Sequence, residues 1–198
     1  SLDDIARSVT LTGGVREAVG DRADLLFGTH GQFTAAGAIR LAQQLEPFDP
    51  LWLEEPTQPD LPEEMARVAR QTTIPIATGE RLTTISEFAA LAQHQAAAIW
   101  QPNLGRCGGI LAAKKIAAIG EAAGCQIAPH LYSGPILGAA NIQFGATLPN
   151  LLIVEAIQDW SGFHAELLTT PLDWEDGYVR PSREPGLGTE LNEAVDLA

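Results

Sequence analysis

The feature that most limits how this chain can fold is a recurring phrase, in which a short apolar run stops on a polar residue and hands over to a helical segment. Leu51-Trp52-Leu53 ends on Glu54-Glu55-Pro56. Ile74 to Glu80 reads IPIATGE, Ala96 to Asn103 reads AAAIWQPN, Cys125 to His130 reads CQIAPH, and Leu151 to Glu155 reads LLIVE. Runs this short and this apolar suit strands buried on both faces, and parallel strands need a crossover helix between them. The pattern predicts an α/β fold of the (β/α)-barrel type, whose chemistry gathers at the C-terminal ends of the strands.

Taken in order, residues 1–14 are weakly patterned, with a short helix over Leu2–Val9 and a break at Gly13-Gly14. Strands are expected at Leu25–Gly28, Leu51–Leu53, Ile74–Ala77, Ala97–Trp100, Gln126–Ala128 and Leu151–Val154. Helices are expected between them, over Thr34–Glu46, Leu61–Gln71, Thr84–Gln93, Ile110–Ala123 and Ile136–Ala146, from apolar residues three to four apart and from caps such as Thr34 and Pro62. That makes six strand-and-helix units over residues 15–160, short of the roughly 250 residues of a closed eight-stranded barrel. Residues 161–198 are rich in Pro, Gly and aromatics and read as a C-terminal wrap pinned by Trp174, Tyr178 and Val179.

Charge narrows the partners. The 25 acidic and 12 basic residues leave a formal charge of −13, with no basic cluster longer than Lys114-Lys115. Such a surface repels nucleic acid and anionic membrane, but it does not predict the charge of a substrate, because a bound divalent metal can invert the local potential. Only Cys107 and Cys125 occur, too few for a disulfide framework or a zinc cluster, so a reducing cytoplasm is expected.

Glu54 and Glu80 are the strongest site candidates. Each ends an apolar strand, where a carboxylate is costly to bury unless paired or bound to a cation, and a hard divalent ion relieves the repulsion between two of them. The alternatives are ion pairs with Arg81 or Arg106, or helix capping. Glu55 should face away from Glu54, because neighbouring strand residues point to opposite sides. His130 brings an imidazole suited to proton transfer to the same rim, unless a loop carbonyl satisfies it. Asn103 and Glu155 end the neighbouring strands; the first can hydrogen-bond the ring or a substrate oxygen, the second can donate a proton or form a rim salt bridge. His30, after the first strand, is a third metal ligand, a second acid-base group or a structural residue. His94 and His164 read as ordinary surface or packing histidines, and Gly108-Gly109 lacks the lysine of a phosphate loop.

These phrases carry a resemblance. WLEEP (52–56), IPIATGE (74–80), IWQPNLGRCGGI (99–110), IAPH (127–130) and PGLG (185–188) resemble, in order, the C-terminal part of the modified TIM barrel of the enolase superfamily, specifically the mandelate racemase/muconate lactonizing enzyme family. The resemblance implies barrel strands three to eight, an N-terminal capping domain that has no counterpart in this sequence, and usually a homo-oligomer. It implies Mg²⁺ held by Glu54 and Glu80, His130 as the general acid-base on the seventh strand, Glu155 as the eighth-strand acid, and an enolate formed next to a carboxylate. The expected activity is a sugar-acid dehydratase or a sugar-lactone cycloisomerase.

The sequence departs from the family at several points. Gly28 stands where a related dehydratase has a ligating Asp, and Asn103 stands where the family usually has the Asp that partners the histidine. Asn103 can still fix the ring but cannot compensate imidazolium charge. His30, two residues beyond Gly28, is expected to replace the missing ligand or to act on the substrate. The lysine-bearing strand is absent, which disfavours two-base racemisation or epimerisation unless a lysine lies in an omitted segment before Val15. These departures also leave open an impaired family member or fragment with a binding or assembly role.

Overall fold

The computed structural model describes residues 2–157, 160 and 162–195. Five strands, β1 (Leu26–Gly28), β2 (Trp52–Glu54), β3 (Ile76–Thr78), β4 (Ile99–Trp100) and β5 (Gln126–Ile127), form one all-parallel sheet in sequence order. Between them run α2 (Ala35–Leu45), α3 (Pro62–Ala69), α4 (Ile85–His94) and α5 (Gly109–Ala122), with α1 (Leu2–Val19) before β1 and α6 (Pro135–Gly145) after β5. Strand order that follows chain order, with a helix in each crossover, is the connectivity of a β/α barrel wall. The register aligns Gly28 with Glu54, Glu54 with Ala77, Ala77 with Ile99, and Trp100 with Ile127, so the polar residues that follow the strands emerge at one end.

The pleat sorts the side chains. Leu53, Ile76, Trp100 and Ile127 pack outward against Leu41, Leu45, Met65, Phe88, Leu91 and Ile116 of the helices, forming the main core. Phe88 and Trp100 meet with ring centroids 5.6 Å apart at a tilt of 48°, a favourable aromatic contact. Trp52, Ala77, Ile99 and Ala128, of opposite parity, form a smaller cluster on the inner face. This alternation carries the site inward: Glu54 follows Trp52 by two residues, Gln101 follows Ile99, and His130 follows Ala128.

Helix starts are well specified. Thr34 accepts a hydrogen bond from Gly37 N at the start of α2. Thr84 and Glu87 form a reciprocal capping box on α4, with Thr84 Oγ1 accepting from Glu87 N and Glu87 Oε2 accepting from Thr84 N at 2.7 Å. Loss of hydration is the largest single influence on the Glu87 carboxyl and raises its pKa, but the bonds it accepts from Thr83 and Thr84 together outweigh that and hold it below its ordinary range. Thr84→Ala should therefore cost about 1 kcal/mol in a urea unfolding curve. An unchanged midpoint would mean that packing alone sets the start of α4.

Three expectations change. The break at Gly13-Gly14 is not there: α1 runs through both glycines, and Gly13 lies against the Phe48 ring, where a Cβ would come within 3.1 Å. The sixth strand is reduced to a parallel bridge between Ile127 and Leu151, supported by Leu152 N donating to Ile127 O. The C-terminal segment is not pinned by its aromatics. Trp174 and Tyr178 sit on an exposed hairpin of β6 (Asp173–Glu175) and β7 (Tyr178–Arg180), with Tyr178 76% exposed. Trp160 and Leu168 are buried instead, and Trp160 and Leu172 pack over Gly138 of α6, beside the four-residue helix α7 (Phe163–Glu166). Strand propensity set the two hairpin aromatics, while the close approach allowed by Gly138 set the anchor. The last expected segment, Leu191–Ala198, is described only to Val195.

Candidate active site

The strand ends and the loops after them build a mouth around one imidazole. His130 Nε2 lies 3.2 Å from Glu80 Oε2, and His130 Nδ1 lies 2.8 Å from Asn103 Nδ2. Asn141 on α6 donates to the carbonyl of His130 at 3.2 Å, fixing the backbone beneath the ring. With the Asn103 nitrogen donating to Nδ1, the ring proton sits on Nε2 and is donated to Glu80. With the amide turned, Asn103 Oδ1 accepts from Nδ1–H and leaves Nε2 as a base. An asparagine therefore serves both tautomers, although it adds no negative charge. Burial, with the positive field of Arg106 behind it, holds the His130 pKa below its ordinary value, so the neutral ring is favoured.

Glu80 reaches the mouth because Gly79 adopts φ +135°, with Phe88 and the Gln101 backbone so close that a Cβ would come within 3.0 Å of both; a β-carbon has no room in that turn. Burial, and next the charge of Glu54, raises the Glu80 pKa. Arg106 Nη1 donates to the Glu80 carbonyl at 3.3 Å. Glu155 is half-buried at the neighbouring strand end, its Oε2 accepting from Leu131 N at 2.5 Å; burial raises its pKa and that bond opposes the rise.

Glu54 lines a cavity of about 270 Å³ with Gly28, Trp52, Gln101, Ala128 and Glu155. Its Oε2 accepts from Gln101 Nε2 at 2.6 Å. A Cβ on Gly28 would stand 3.7 Å from Glu54 Oε1, so the space beside that oxygen is where a side chain at position 28 would enter. Glu55 belongs elsewhere: it is fully buried outside this cavity and takes Arg81 Nε at 2.8 Å and Nη2 at 2.6 Å. Arg81 thus makes its ion pair with Glu55, while its charge still reaches Glu80.

His30 sits in a left-handed turn at φ 51°, in a loop stitched to β2 by Thr29 Oγ1 donating to the carbonyls of Glu54 and Glu55 and by Gly31 N donating to Glu55 O. Its field reaches Glu80 and His130. Among the described residues, no group of three or more His, Cys, Asp or Glu side chains is arranged to hold a metal ion. Two strand-end carboxylates whose charges oppose each other remain, and they are the hard oxygen donors that a small divalent cation takes alongside water or substrate oxygens. His94 lies near Glu63 on the helix side, and His164 packs by Trp160 and Phe163, both away from the mouth.

Gln101 was not among the site candidates read from the sequence. The signal was present: Gln101 shares the parity of Ile99 and Asn103, as Glu54 shares that of Trp52 and His130 that of Ala128. Arg106, weighed from the sequence as an ion-pair partner of these carboxylates, donates to the Glu80 carbonyl, and Leu131 N acts through loop geometry that no spacing announces.

A family model described as enolase C-terminal domain-like matches residues 2–195. A solved structure assigned to the mandelate racemase/muconate lactonizing enzymes, from Labrenzia alexandrii DFL-11, is 59% identical and superposes with a TM-score of 0.95 over 98% of this chain and 49% of its own. Another, from Jannaschia sp. CCS1, is 53% identical with a TM-score of 0.92 over 98% of this chain and 50% of its own. Among curated proteins, the D-gluconate/D-galactonate dehydratase of Picrophilus torridus is 35% identical over 194 residues, 98% of this chain and 49% of that protein. The D-xylonate dehydratase of Haloferax volcanii is 35% identical over 189 residues, 96% of this chain and 46% of that protein. The chain thus spans about half the length of the curated relatives it matches. With this shared fold and these strand-end phrases, the chain belongs to the enolase C-terminal domain-like family, within the mandelate racemase/muconate lactonizing enzyme group of the enolase superfamily.

Proposed function

We propose that this chain carries the proton-transfer and metal-binding half of an acid-sugar dehydratase. The observation that carries the reading is the convergence of a half-buried, neutral-favoured imidazole, His130, with the carboxylate of Glu80 at 3.2 Å and the orienting amide of Asn103 at 2.8 Å. Dehydratases of gluconate, galactonate and xylonate among the relatives support a substrate with a carboxylate and a chain of hydroxyls.

The chemistry follows from the groups. Removing the proton on the carbon next to a carboxylate leaves an enolate, and loss of the neighbouring hydroxyl with a returned proton completes the elimination of water. His130, with Asn103 turned to accept from Nδ1–H, takes the proton at Nε2. Glu155, its pKa raised by burial, is an acid that can donate to the departing oxygen. Glu54 and Glu80 would hold Mg²⁺, with His30 as a further ligand or as a second acid-base group. When bound, the cation supplies positive charge opposite the developing enolate. A sugar lactone opened or isomerised through the same enolate is the nearest alternative. A role as a binding or assembly module is favoured by Gly28 and Asn103 and opposed by the retention of Glu54, Glu80, His130 and Glu155 in one mouth. Racemisation or epimerisation stands behind these and needs a lysine from a segment outside this sequence, since Lys114 and Lys115 both lie on α5.

No helix among the described residues is long and apolar enough to cross a membrane. Both cysteines are buried and free, which supports a reducing cytoplasm. A homo-oligomer is part of the same family-based reading.

The test is turnover of a panel of aldonates, aldarates and their lactones by the full-length protein, with and without a chelator. The expected result is keto-acid product from at least one aldonate or aldarate, lost on chelation and restored by Mg²⁺. Product from lactones alone would favour cycloisomerisation, and no product from any of them would favour the binding role.

A further inference from the structure

Gln101 is placed as a handle on Glu54. Its backbone is held by Gln101 N donating to Thr78 O at 2.8 Å, immediately after β4, so the side chain starts from a fixed point on the barrel wall. Gln101 is 5% exposed, and its amide nitrogen donates to Glu54 Oε2 at 2.6 Å. The opposite amide orientation would set two oxygens against each other at that distance, so an ionised Glu54 dictates which end faces it. The amide oxygen is buried and has no hydrogen-bond partner among the described residues. An unpartnered acceptor costs free energy that Leu or Met at the same position would not incur, so the use of the amide lies in its nitrogen.

The hydrogen bond also divides the labour of the carboxylate. Oε2 is occupied by Gln101, and Oε1 faces the space beside Gly28. In a site with no side chain at position 28, an ion must rely on fewer protein donors, and the aim of each matters more. We propose that Gln101 is the positioning residue that fixes Glu54 so that Oε1 alone is presented to a divalent cation beside Gly28. The inference rests on the reading of Glu54 as a metal ligand, and not on the identity of the substrate.

The test uses the full-length protein. Mg²⁺ alone is titrated calorimetrically into the wild type and Q101M, which keeps the volume and removes the hydrogen bond. The expected result is a roughly tenfold weaker Mg²⁺ affinity with Tm within about 2 °C of wild type. Equal affinities would overturn the inference, as would a wild-type protein with no affinity for Mg²⁺.

A thermal cycle in metal-free protein checks the contact itself and holds even if Q101M folds poorly. Q101E, which sets two carboxylates together, should lower Tm by roughly 4 °C, and Q101E with E54Q, which reverses the hydrogen bond, should regain most of it. Additive effects of the two changes would overturn the pairing. A wild type that binds Mg²⁺ but converts no acid sugar or lactone would sink the proposed function, while the affinity ratio still decides the role of Gln101.

Discussion

His130→Asn should lower kcat on the best acid sugar by about 10³-fold, because positioned acid-base catalysis typically contributes 10²–10⁴. The ring sits where a proton-transfer group must be, held at Nδ1 by Asn103 and beneath its backbone carbonyl by Asn141, with Nε2 turned to Glu80. The substitution keeps a side-chain amide in a half-buried place, so the unfolding midpoint should stay close to wild type. A drop in kcat with a preserved Tm would separate chemistry from folding. Because the His130 pKa is held below its ordinary value by burial and Arg106, the acid limb of the wild-type rate profile should also fall below pH 6.5, the unperturbed imidazole value. Activity within tenfold of wild type in the variant would move proton transfer to another group, with His30 the next to substitute.

The largest stability effect should come from Arg81→Met. Glu55 is fully buried, with Arg81 Nε donating to its Oε2 and Nη2 in ion-pair contact with the same oxygen. Removing the guanidinium leaves a buried carboxylate without its counter-charge, which typically costs 3–5 kcal/mol; the Arg81 side chain is 34% exposed, so about 3 kcal/mol is expected. The sign with pH follows from linkage. Burial raises the Glu55 pKa in the folded state even with Arg81 opposing it, and losing Arg81 raises it further. The penalty therefore grows as the pH rises from the unfolded value of 4.5 toward the raised folded pKa and levels off above it, whereas well below 4.5 both states are protonated and it vanishes. The deficit of the variant should be largest at neutral pH and shrink on acidification, measured by urea unfolding across pH. A loss under about 1 kcal/mol at pH 7 would mean that Glu55 gains water or another partner when Arg81 leaves.

Strand alternation places Trp52 and Leu53 in the inner and outer cores and Glu54 in the cavity. Glu55 parts from Glu54 for a different reason: it follows the strand in the left-handed region at φ 42°, and that turn sends its side chain to Arg81. The same alternation turns Gln101 inward, but which partner an inward amide serves shows only in the structure. The C-terminal wrap differs from its expected anchoring for a related reason. Trp174 and Tyr178 have the size to anchor a segment, yet burial depends on what stands opposite, and it is Gly138 on α6 that admits Trp160 and Leu172.

By itself, the amino-acid sequence determined the parallel strand-and-helix repeat, the inward parity of Glu54 and His130, and the family, because these rest on local periodicity and on contiguous phrases. Only the tertiary structure decided that Arg81 serves Glu55, 26 residues away in the chain, that Gln101 holds Glu54 across 47 residues, and that Asn103 meets the His130 ring across 27. Such contacts depend on the register between strands and the path of each loop, and no pattern within one strand encodes which of several polar residues at a common rim will fall within hydrogen-bond reach.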